Sequence, residues 1–575
     1  MNLTPQQQAA AREEFLRCSR RQFMVASTAA VATTGLTAGA YYFGYGKAHG
    51  DPLRVAVLGT GDEGNILIGA INPEYVQVKA IADIRPYNVF RAFYGDNSND
   101  NIIKMRKGLM SVYGWKTEDE ARKHVKVYGH YEECLANAKA DGIEAVIIAL
   151  PLHLHAIVAI KAMRMGLHVL TEKLMARTVG QCKDMARTSR DTGKFCATGH
   201  QRHYNMLYEE AMETIKRGKL GDLHHIAAQW HRSNLPGADS WQMPMPFQAK
   251  PEDPQAMKLL NDLKSLRVAL SRARGAEIEK LLPRVRQKEL QIDDYMIDAS
   301  KFGYQTNELK DAAGNTVYTC SPIEELIRWR LWGRTGGGLM VELGSHQLDA
   351  ASIFISALHG GEHKHPISVF ASGERNLFPY DRDTNDHVIA AFDFPLPGYD
   401  EKDPLCNKNK IAVQYSTING NGFGGYGEIV YGTKGTMIIL KEEETQLLLK
   451  EETKASAGAG SGPSLDTQSS GASQKAVSAA AAGPKVSRGY TEEIEHFAWC
   501  IRNPDPENHP RCTPEVAMGD AIIAHVTNIS AEKGQRVFFK DDWFKVDSDA
   551  TPEVDFGLKT KEEGDPNLNK PEYAV

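Results

Sequence analysis

The sequence predicts an α/β fold that opens on a parallel sheet, and three observations carry that expectation. An unbroken apolar run, Leu53, Val55, Ala56, Val57 and Leu58, reads as a strand buried on both faces. The turn Gly59-Thr60-Gly61-Asp62-Glu63-Gly64 follows at once and leads into a helical pattern. A second apolar strand, residues 76–82, then ends at Asp83. Strand, glycine turn, helix, strand and acid in that order are the fingerprint of a Rossmann dinucleotide-binding unit. Gly59 permits the tight turn, Gly61 lets amides approach a pyrophosphate, and Gly64 lets the helix pack closely on the strand. Thr60, Asp62 and Glu63 complete the cradle, with the pyrophosphate at the helix N-terminus, where unpaired N–H groups favour an anion. Asp83, 19 residues after Gly64, is placed to accept from a ribose 2′-hydroxyl, which favours NAD as the cofactor. Arg85 lies close enough to take a 2′-phosphate, so NADP stays possible.

The totals narrow the remaining classes. A chain of 575 residues holds at least two domains, and its 42% hydrophobic and 24% charged content is that of an ordinary globular protein. The net charge of -6 and the lack of a basic stripe exclude nucleic acid as an expected partner. Eight cysteines without a C-x-x-C pair indicate neither a zinc site nor a disulfide framework. Cys500 and Cys512 are the one pair worth checking, and two free thiols are the expectation. His359, His363 and His365 sit in a loop with no acid but Glu362 beside them, so no metal is expected.

Residues 1–50 read as an export signal. Ser19-Arg20-Arg21-Gln22-Phe23-Met24 is a twin-arginine motif, and the uncharged stretch 25–46 follows it. Ala38-Gly39-Ala40 resembles a cleavage site; the alternative is retention as a membrane anchor. The expected location is periplasmic or otherwise extracytoplasmic, and the twin-arginine export machinery is an expected partner. That route carries folded proteins, so a cofactor bound in the cytoplasm would travel with the chain.

Residues 51–175 form the predicted nucleotide-binding domain. A buried strand, 145–150, ends in Leu150-Pro151-Leu152-His153-Leu154-His155, with His153 and His155 expected beside the nicotinamide. The strand 168–171 delivers Glu172 and Lys173 to its carboxyl end, where open α/β sheets bind ligands. Gly199-His200-Gln201-Arg202 ends another strand. Further on come Gly336-Gly337-Gly338 and Glu342-Leu343-Gly344-Ser345-His346-Gln347-Leu348-Asp349. Over roughly residues 53–546 the chain resembles the Gfo/Idh/MocA family, whose members include glucose–fructose oxidoreductase and inositol dehydrogenase. Leu174 stands where that family carries proline, and Leu150 where it carries a polar residue.

The resemblance implies a second α/β domain, residues 176–546, with a large, open, mostly antiparallel sheet that usually mediates oligomerisation. A homo-oligomer, dimer or tetramer, is therefore expected. Strands are predicted over 224–231, 367–373, 387–394, 410–417, 427–432, 436–440 and 536–539, and helices over 490–501 and 514–534. Two insertions interrupt this domain. The first, about 243–325, has leucines at helical spacing over 256–290 and reads as a helical hairpin, taken as a surface elaboration or oligomer contact. The second, 453–485, is rich in Ala, Ser and Gly and reads as a loop without order. The tail, 547–575, is polar and is expected to be loose or wrapped on the surface.

The chemistry is expected at Lys173, Glu342 and His346. Glu342 and His346, at i and i+4, would share one helix face. His346, with an ordinary pKa near ~6.5, would take a hydroxyl proton as a hydride leaves. Lys173 would stabilise alkoxide character on the same oxygen, and Glu342 would orient the imidazole or a neighbouring hydroxyl. His200, Arg202 and His231 are candidate substrate contacts. The expected activity is oxidation or reduction of a secondary hydroxyl of a sugar, glycoside or cyclitol, with the nucleotide tightly held. An NAD-dependent glycosidase working by transient oxidation and elimination is the alternative, and a non-catalytic sugar or nucleotide sensor is a third reading.

Overall fold

The computed structural model describes residues 43–46, 50–450, 474–477 and 487–558. The twin-arginine motif and most of the second insertion lie outside them. Among the described residues, no helix is long and apolar enough to cross a membrane.

The first layer contains β1 (Leu53–Leu58), α1 (Asp62–Ala70), β2 (Val76–Ala82), α2 (Pro86–Tyr94), β3 (Lys126–Tyr128), α3 (Tyr131–Asn137), β4 (Ala145–Ile148), α4 (His155–Arg164), β5 (His168–Glu172), α5 (Val179–Thr192) and β6 (Cys196–Gly199). The strands form one parallel sheet in the order β3-β2-β1-β4-β5-β6. The order in which successive strands are added therefore reverses between β1 and β4, and the cleft outside their carboxyl ends is where such sheets bind nucleotides. β6 pairs with β5 from Val169 to Glu172, so this domain runs past residue 175 to about Gly199. Hydrogen bonding along the β5 edge, rather than the Glu172-Lys173 motif, sets the boundary.

The second layer adds α6 (Met206–Lys216), β7 (Leu223–Trp230), α7 (Ala256–Arg272), α8 (Ala276–Asp293), β8 (Asn307–Lys310), β9 (Thr316–Cys320), α9 (Ser345–Leu358), β10 (Ser368–Glu374), β11 (His387–Pro395), β12 (Lys410–Ile418), β13 (Tyr426–Gly432), β14 (Gly435–Leu440), β15 (Glu444–Lys450), β16 (Gln474–Val477), α10 (Tyr490–Arg502), α11 (Pro514–Lys533) and β17 (Val537–Phe538). Nine strands join in the order β16-β15-β14-β13-β7-β12-β11-β10-β17, all antiparallel except β7 with β12. Alternation decides the faces. Val388, Ala390, Phe392 and Phe394 are buried in the core with α9 and α11, while Ile389 and Phe370 are exposed on the other face. Residues 474–477 pair with β15, so the second insertion contains a strand that its composition does not predict.

The first insertion forms the expected hairpin, and its contacts reach the nucleotide-binding domain. Leu259 and Leu263 of α7 pack with Val285 and Ile292 of α8. Helix α8 then docks on the nucleotide-binding domain. Gln287 donates to Asp96 at 2.9 Å and accepts from the Asn97 N–H at 2.7 Å, while Lys280 reaches Asp100 at 2.7 Å. The described residues leading into and along the tail, up to 558, are wrapped on the surface of the fold: Lys183 donates to the carbonyls of Asp542, Ser548 and Ala550, and Trp543 is buried. Glu553 accepts the Val179 N–H at 2.6 Å and so satisfies a free amide at the start of α5. Cys500 and Cys512 are free thiols.

Candidate functional site

One cleft runs from the glycine turn, across the carboxyl ends of β1, β4 and β5, to the end of β7 and the segment before α9. At its nucleotide end Gly59 adopts φ +86°, and a Cβ there would lie 2.4 Å from the Ala149 carbonyl oxygen. A Cβ on Gly64 would lie 2.2 Å from the Gly59 carbonyl oxygen, so helix and turn can touch only with glycine at both positions. Helix α1 starts after Gly61 with no side-chain cap, leaving its first amides to an anion. Two acids in that first turn would repel a pyrophosphate. Asp62, however, faces Arg91 at 2.7 Å and Arg106 at 3.4 Å. Burial opposes ionisation of Asp62, but the two guanidiniums outweigh it and hold the carboxyl well below the usual range. The residues present thus fit a bound dinucleotide.

Thr60 lies buried under the turn, where its N–H donates to Asp83 at 2.8 Å and its hydroxyl at 3.3 Å. Asn88 and the Arg85 N–H also donate to Asp83, fixing the plane of a carboxylate that faces the cleft. Arg85 lines the cleft, but its guanidinium is committed to Asp294, at 3.0 and 2.6 Å. It is therefore not free to receive a 2′-phosphate. Gly59, Gly61, Glu63, Leu150, Pro151, His155, Glu172 and Lys173 line the cleft as expected, whereas Gly64 packs behind it. His153 is also behind the surface, edge-on to Tyr304 with ring centroids 5.6 Å apart, and burial followed by Arg334 lowers its pKa to about 3. His155 sits between the carbonyls of Leu150 and Leu174, 2.8 Å from each, and so ties together the loops carrying those residues. The Lys173–Leu174 peptide is cis, and Leu174 is buried. Burial, and then the Glu63 charge, push the Glu172 carboxyl well above the usual range.

At the far end, Lys173, Glu342 and His346 meet in the cleft. The Lys173 ammonium donates to the Glu342 carbonyl at 2.9 Å. Residues Met340–Gly344 wind as a π-helix before α9, which displaces the simple i, i+4 alignment of Glu342 with His346. Glu342 accepts from Arg330 at 2.9 Å and does not orient the imidazole. Burial raises the Glu342 carboxyl, but Arg330 and Lys173 together bring it below its ordinary value. The His346 ring packs on Trp230, with centroids 5.3 Å apart. Burial first, then the charges of Lys173 and Arg202, hold its pKa well below the ordinary value, so the imidazole is neutral.

The three candidate substrate contacts do not reach the cleft. Arg202 is fully buried and bonds Glu442 at 2.9 Å, Gln347 at 2.8 Å and the backbone carbonyl of His346. It anchors the first turn of α9 from behind. His200 is buried between Asp349, 3.7 Å away, and Asp520, 3.9 Å away. These three groups bring possible ligand atoms within 4.8 Å of one another in the core, apart from the cleft. His231 points to the opposite face of β7 from Trp230, against Ser416 at 3.0 Å and the Phe423 carbonyl at 3.1 Å. His359 bonds the Pro395 carbonyl at 3.1 Å and His365 stacks on Phe544, so the histidine-rich loop does not converge.

Residues 53–200 match the family model described as the oxidoreductase family with an NAD-binding Rossmann fold, Gfo/Idh/MocA. Residues 53–200 are thus similar to the NAD-binding Rossmann domain of the Gfo/Idh/MocA family. A glycosyl hydrolase family 109 protein of Stenotrophomonas maltophilia is 29% identical over 214 residues, which is 36% of this chain and 41% of that protein. An uncharacterized oxidoreductase of Schizosaccharomyces pombe is 31% identical over 129 residues, 22% of this chain and 34% of its own. The chain thus spans about two fifths or less of the length of these curated relatives. Among solved structures, an aldose-aldose oxidoreductase of Caulobacter crescentus superposes with a TM-score of 0.49 at 15% identity, covering 85% of this chain and all of that one (100%).

The nucleotide-binding domain binds NAD. Several cleft residues escape a reading of the sequence. Arg330 lies in the visible Arg328-to-Trp332 run, so composition points to it. Tyr304 comes from the first insertion and Tyr490 and Arg488 follow the second, and no local pattern ties them to the cleft.

Proposed function

We propose that the protein is an exported, NAD-dependent oxidoreductase that acts on a secondary hydroxyl of a sugar, glycoside or cyclitol. The convergence of Lys173 and a neutral His346 at the far end of the nucleotide cleft carries this reading. Bound NAD supplies the hydride acceptor. His346 takes the hydroxyl proton, because only an unprotonated imidazole can act as a base. Lys173 donates a hydrogen bond to the same oxygen, where negative charge grows, and its contact with the Glu342 carbonyl holds it in reach. Trp230 and Trp241 offer flat apolar faces to a sugar ring.

NAD is preferred to NADP because Asp83 lines the cleft where it would accept from the ribose hydroxyls, and Arg85 is engaged by Asp294. The hairpin that carries Asp294 is bonded across the nucleotide-binding domain, which supports a cofactor that stays bound through twin-arginine export. Exposed Phe370 and Ile389 on the open sheet support self-association through that face. The match to glycosyl hydrolase family 109 proteins favours one second reading, in which oxidation is transient and a glycosidic bond is cleaved by elimination. The same Lys173 and His346 serve both.

The test is to denature protein purified without added cofactor and identify the released nucleotide. The NAD-loaded protein is then mixed with glycosides, following both nicotinamide absorbance and the released aglycone. Lasting reduction without aglycone supports the dehydrogenase; aglycone without net reduction supports the glycosidase; a protein that binds no nucleotide sinks both.

A further inference from the structure

Six arginines line the cleft, and five have a carboxylate partner: Arg85 with Asp294, Arg91 and Arg106 with Asp96, Arg330 with Glu342, and Arg488 with Glu442. Arg232 is the sixth. Among the described residues its only side-chain hydrogen-bond partner is the Ser240 hydroxyl at 3.1 Å. We propose that Arg232 receives an anionic group of the substrate, so that the preferred saccharide is acidic: a uronate, or a sulfate or phosphate ester. This rests on the saccharide reading above and specifies its substrate class.

The placement follows from the strand. Residue alternation at the end of β7 sends Trp230 and Arg232 to the cleft side and His231 to the other. The Arg232 N–H bonds the Ile418 carbonyl at 2.9 Å, which fixes the backbone beneath the guanidinium. The guanidinium carbon lies 5.9 Å from the Trp230 ring centroid and 5.4 Å from that of Trp241, so two indoles wall it in. Trp230 is also the ring that packs on His346, so a sugar lying along these indoles would join the base to the arginine.

Charge balance gives the second argument. Two acids act on Arg232 electrostatically, Glu342 and Asp239, and each is bonded to another guanidinium: Arg330 at 2.9 Å and Arg382 at 2.7 Å. Lys173 also draws on Glu342. Lys173, Arg330 and Arg232 all draw on Glu342, and the Glu342 carboxylate is bonded to Arg330, so no carboxylate is bonded to Arg232, while His346 adds no charge. A cation in an aromatic-walled site without a counter-ion is costly, and a guanidinium fork suits a carboxylate, sulfate or phosphate. Burial and the neighbouring Arg330 both act against the charged form of Arg232, and a bound anion would relieve that penalty.

The test uses the full NAD-loaded chain and calorimetric titration with glucuronic acid, galacturonic acid, and the 6-sulfates and 6-phosphates of glucose and galactose. Glucose and galactose are the neutral references. At least one acid should bind about tenfold or more tightly than its neutral counterpart, and the Arg232→Gln variant should lose that advantage while Arg232→Lys keeps part of it. The acid that wins identifies the source of the anion. NAD content and melting temperature of each variant check that the fold is intact. Equal binding of acidic and neutral sugars, no binding of any acid, or an acid preference that survives Arg232→Gln overturns the proposal. Nicotinamide reduction is read separately. Neutral sugars that reduce bound NAD with no acid preference would leave the oxidoreductase standing and remove this proposal. Arg232-dependent acid binding with no redox change in any sugar would do the reverse.

Discussion

Arg85 donates two hydrogen bonds to Asp294, a residue delivered to the nucleotide cleft by the hairpin insertion. The Asp294 side chain has 0% exposure and that of Arg85 12%, so the pair is largely removed from water. An arginine two positions after the ribose-facing acid would otherwise be available to a 2′-phosphate. Its capture by the hairpin would couple cofactor choice to the insertion. Replacing Asp294 with Asn should free Arg85, and the ratio of NADP to NAD affinity should rise by about tenfold. Asp83 would keep the remaining discrimination. Breaking a buried pair should also lower stability, by about 3 kcal/mol. Fluorescence titration with both nucleotides and chemical denaturation measure the two effects, and an unchanged ratio would show that Arg85 has no part in the choice.

Lys173→Ala and His346→Ala should each reduce turnover by about 10²–10⁴-fold while nucleotide remains bound. Arg330→Gln should act through Glu342, whose carboxylate it holds at 2.9 Å, and so cause a smaller loss. Single-turnover reduction of the bound nicotinamide separates these effects from product release. Comparable rates in wild type and His346→Ala would remove the base assignment.

The pH dependence of stability follows from the buried imidazoles. Burial lowers His153 to about 3, His496 to about 3 and His525 to about 4, and it also lowers His346. In the unfolded chain each titrates near about 6.5, so below that pH the unfolded state binds more protons and stability falls with acidity. Above about pH 6.5 these groups are neutral in both states and contribute no slope. His153→Phe should remove about 1.4 kcal/mol of pH sensitivity per unit between about pH 4 and 6. Denaturation across that range, with the variant beside wild type, is the check; identical slopes would mean that His153 is protonated in the fold.

Where the chain's local constraints are strong, sequence and structure agree. The glycine turn, β1, β2 and Asp83 are fixed by sterics and strand pairing over some thirty residues (53–83), and each is found where its pattern puts it. The period-two strands of the second sheet were readable for the same reason. The failures share a cause. Arg202 looks like an exposed ligand contact until Glu442 and Glu428, more than 200 residues away, are brought against it. The π-helical turn at Met340–Gly344 is set by packing, so Glu342 could not be placed from spacing. His231 is a different error: alternation along β7 already assigned Trp230 and Arg232 to one face and His231 to the other.

The short segment before β1 makes a prediction about processing. Phe43 packs against Tyr204 with ring centroids 5.9 Å apart, and Tyr45 is 1% exposed. The Tyr45 hydroxyl donates to Glu495 at 2.7 Å, while the Tyr75 hydroxyl donates to the Gly46 carbonyl at 2.9 Å. These contacts lie a few residues beyond Ala38-Gly39-Ala40. Cleavage there would release the uncharged stretch only up to residue 40 and leave the aromatic anchor at Phe43 to Gly46 in place. If the chain is exported and cleaved as proposed, it should therefore begin between residues 39 and 43, as read by N-terminal sequencing. A start beyond Tyr45 would mean that the anchor is dispensable. Tyr45→Ala should then be costly, because it leaves a cavity and removes one of the donors to Glu495, which keeps its bond from Asn72 at 2.6 Å. The expected loss is about 3 kcal/mol, measured by denaturation of the chain starting at residue 41.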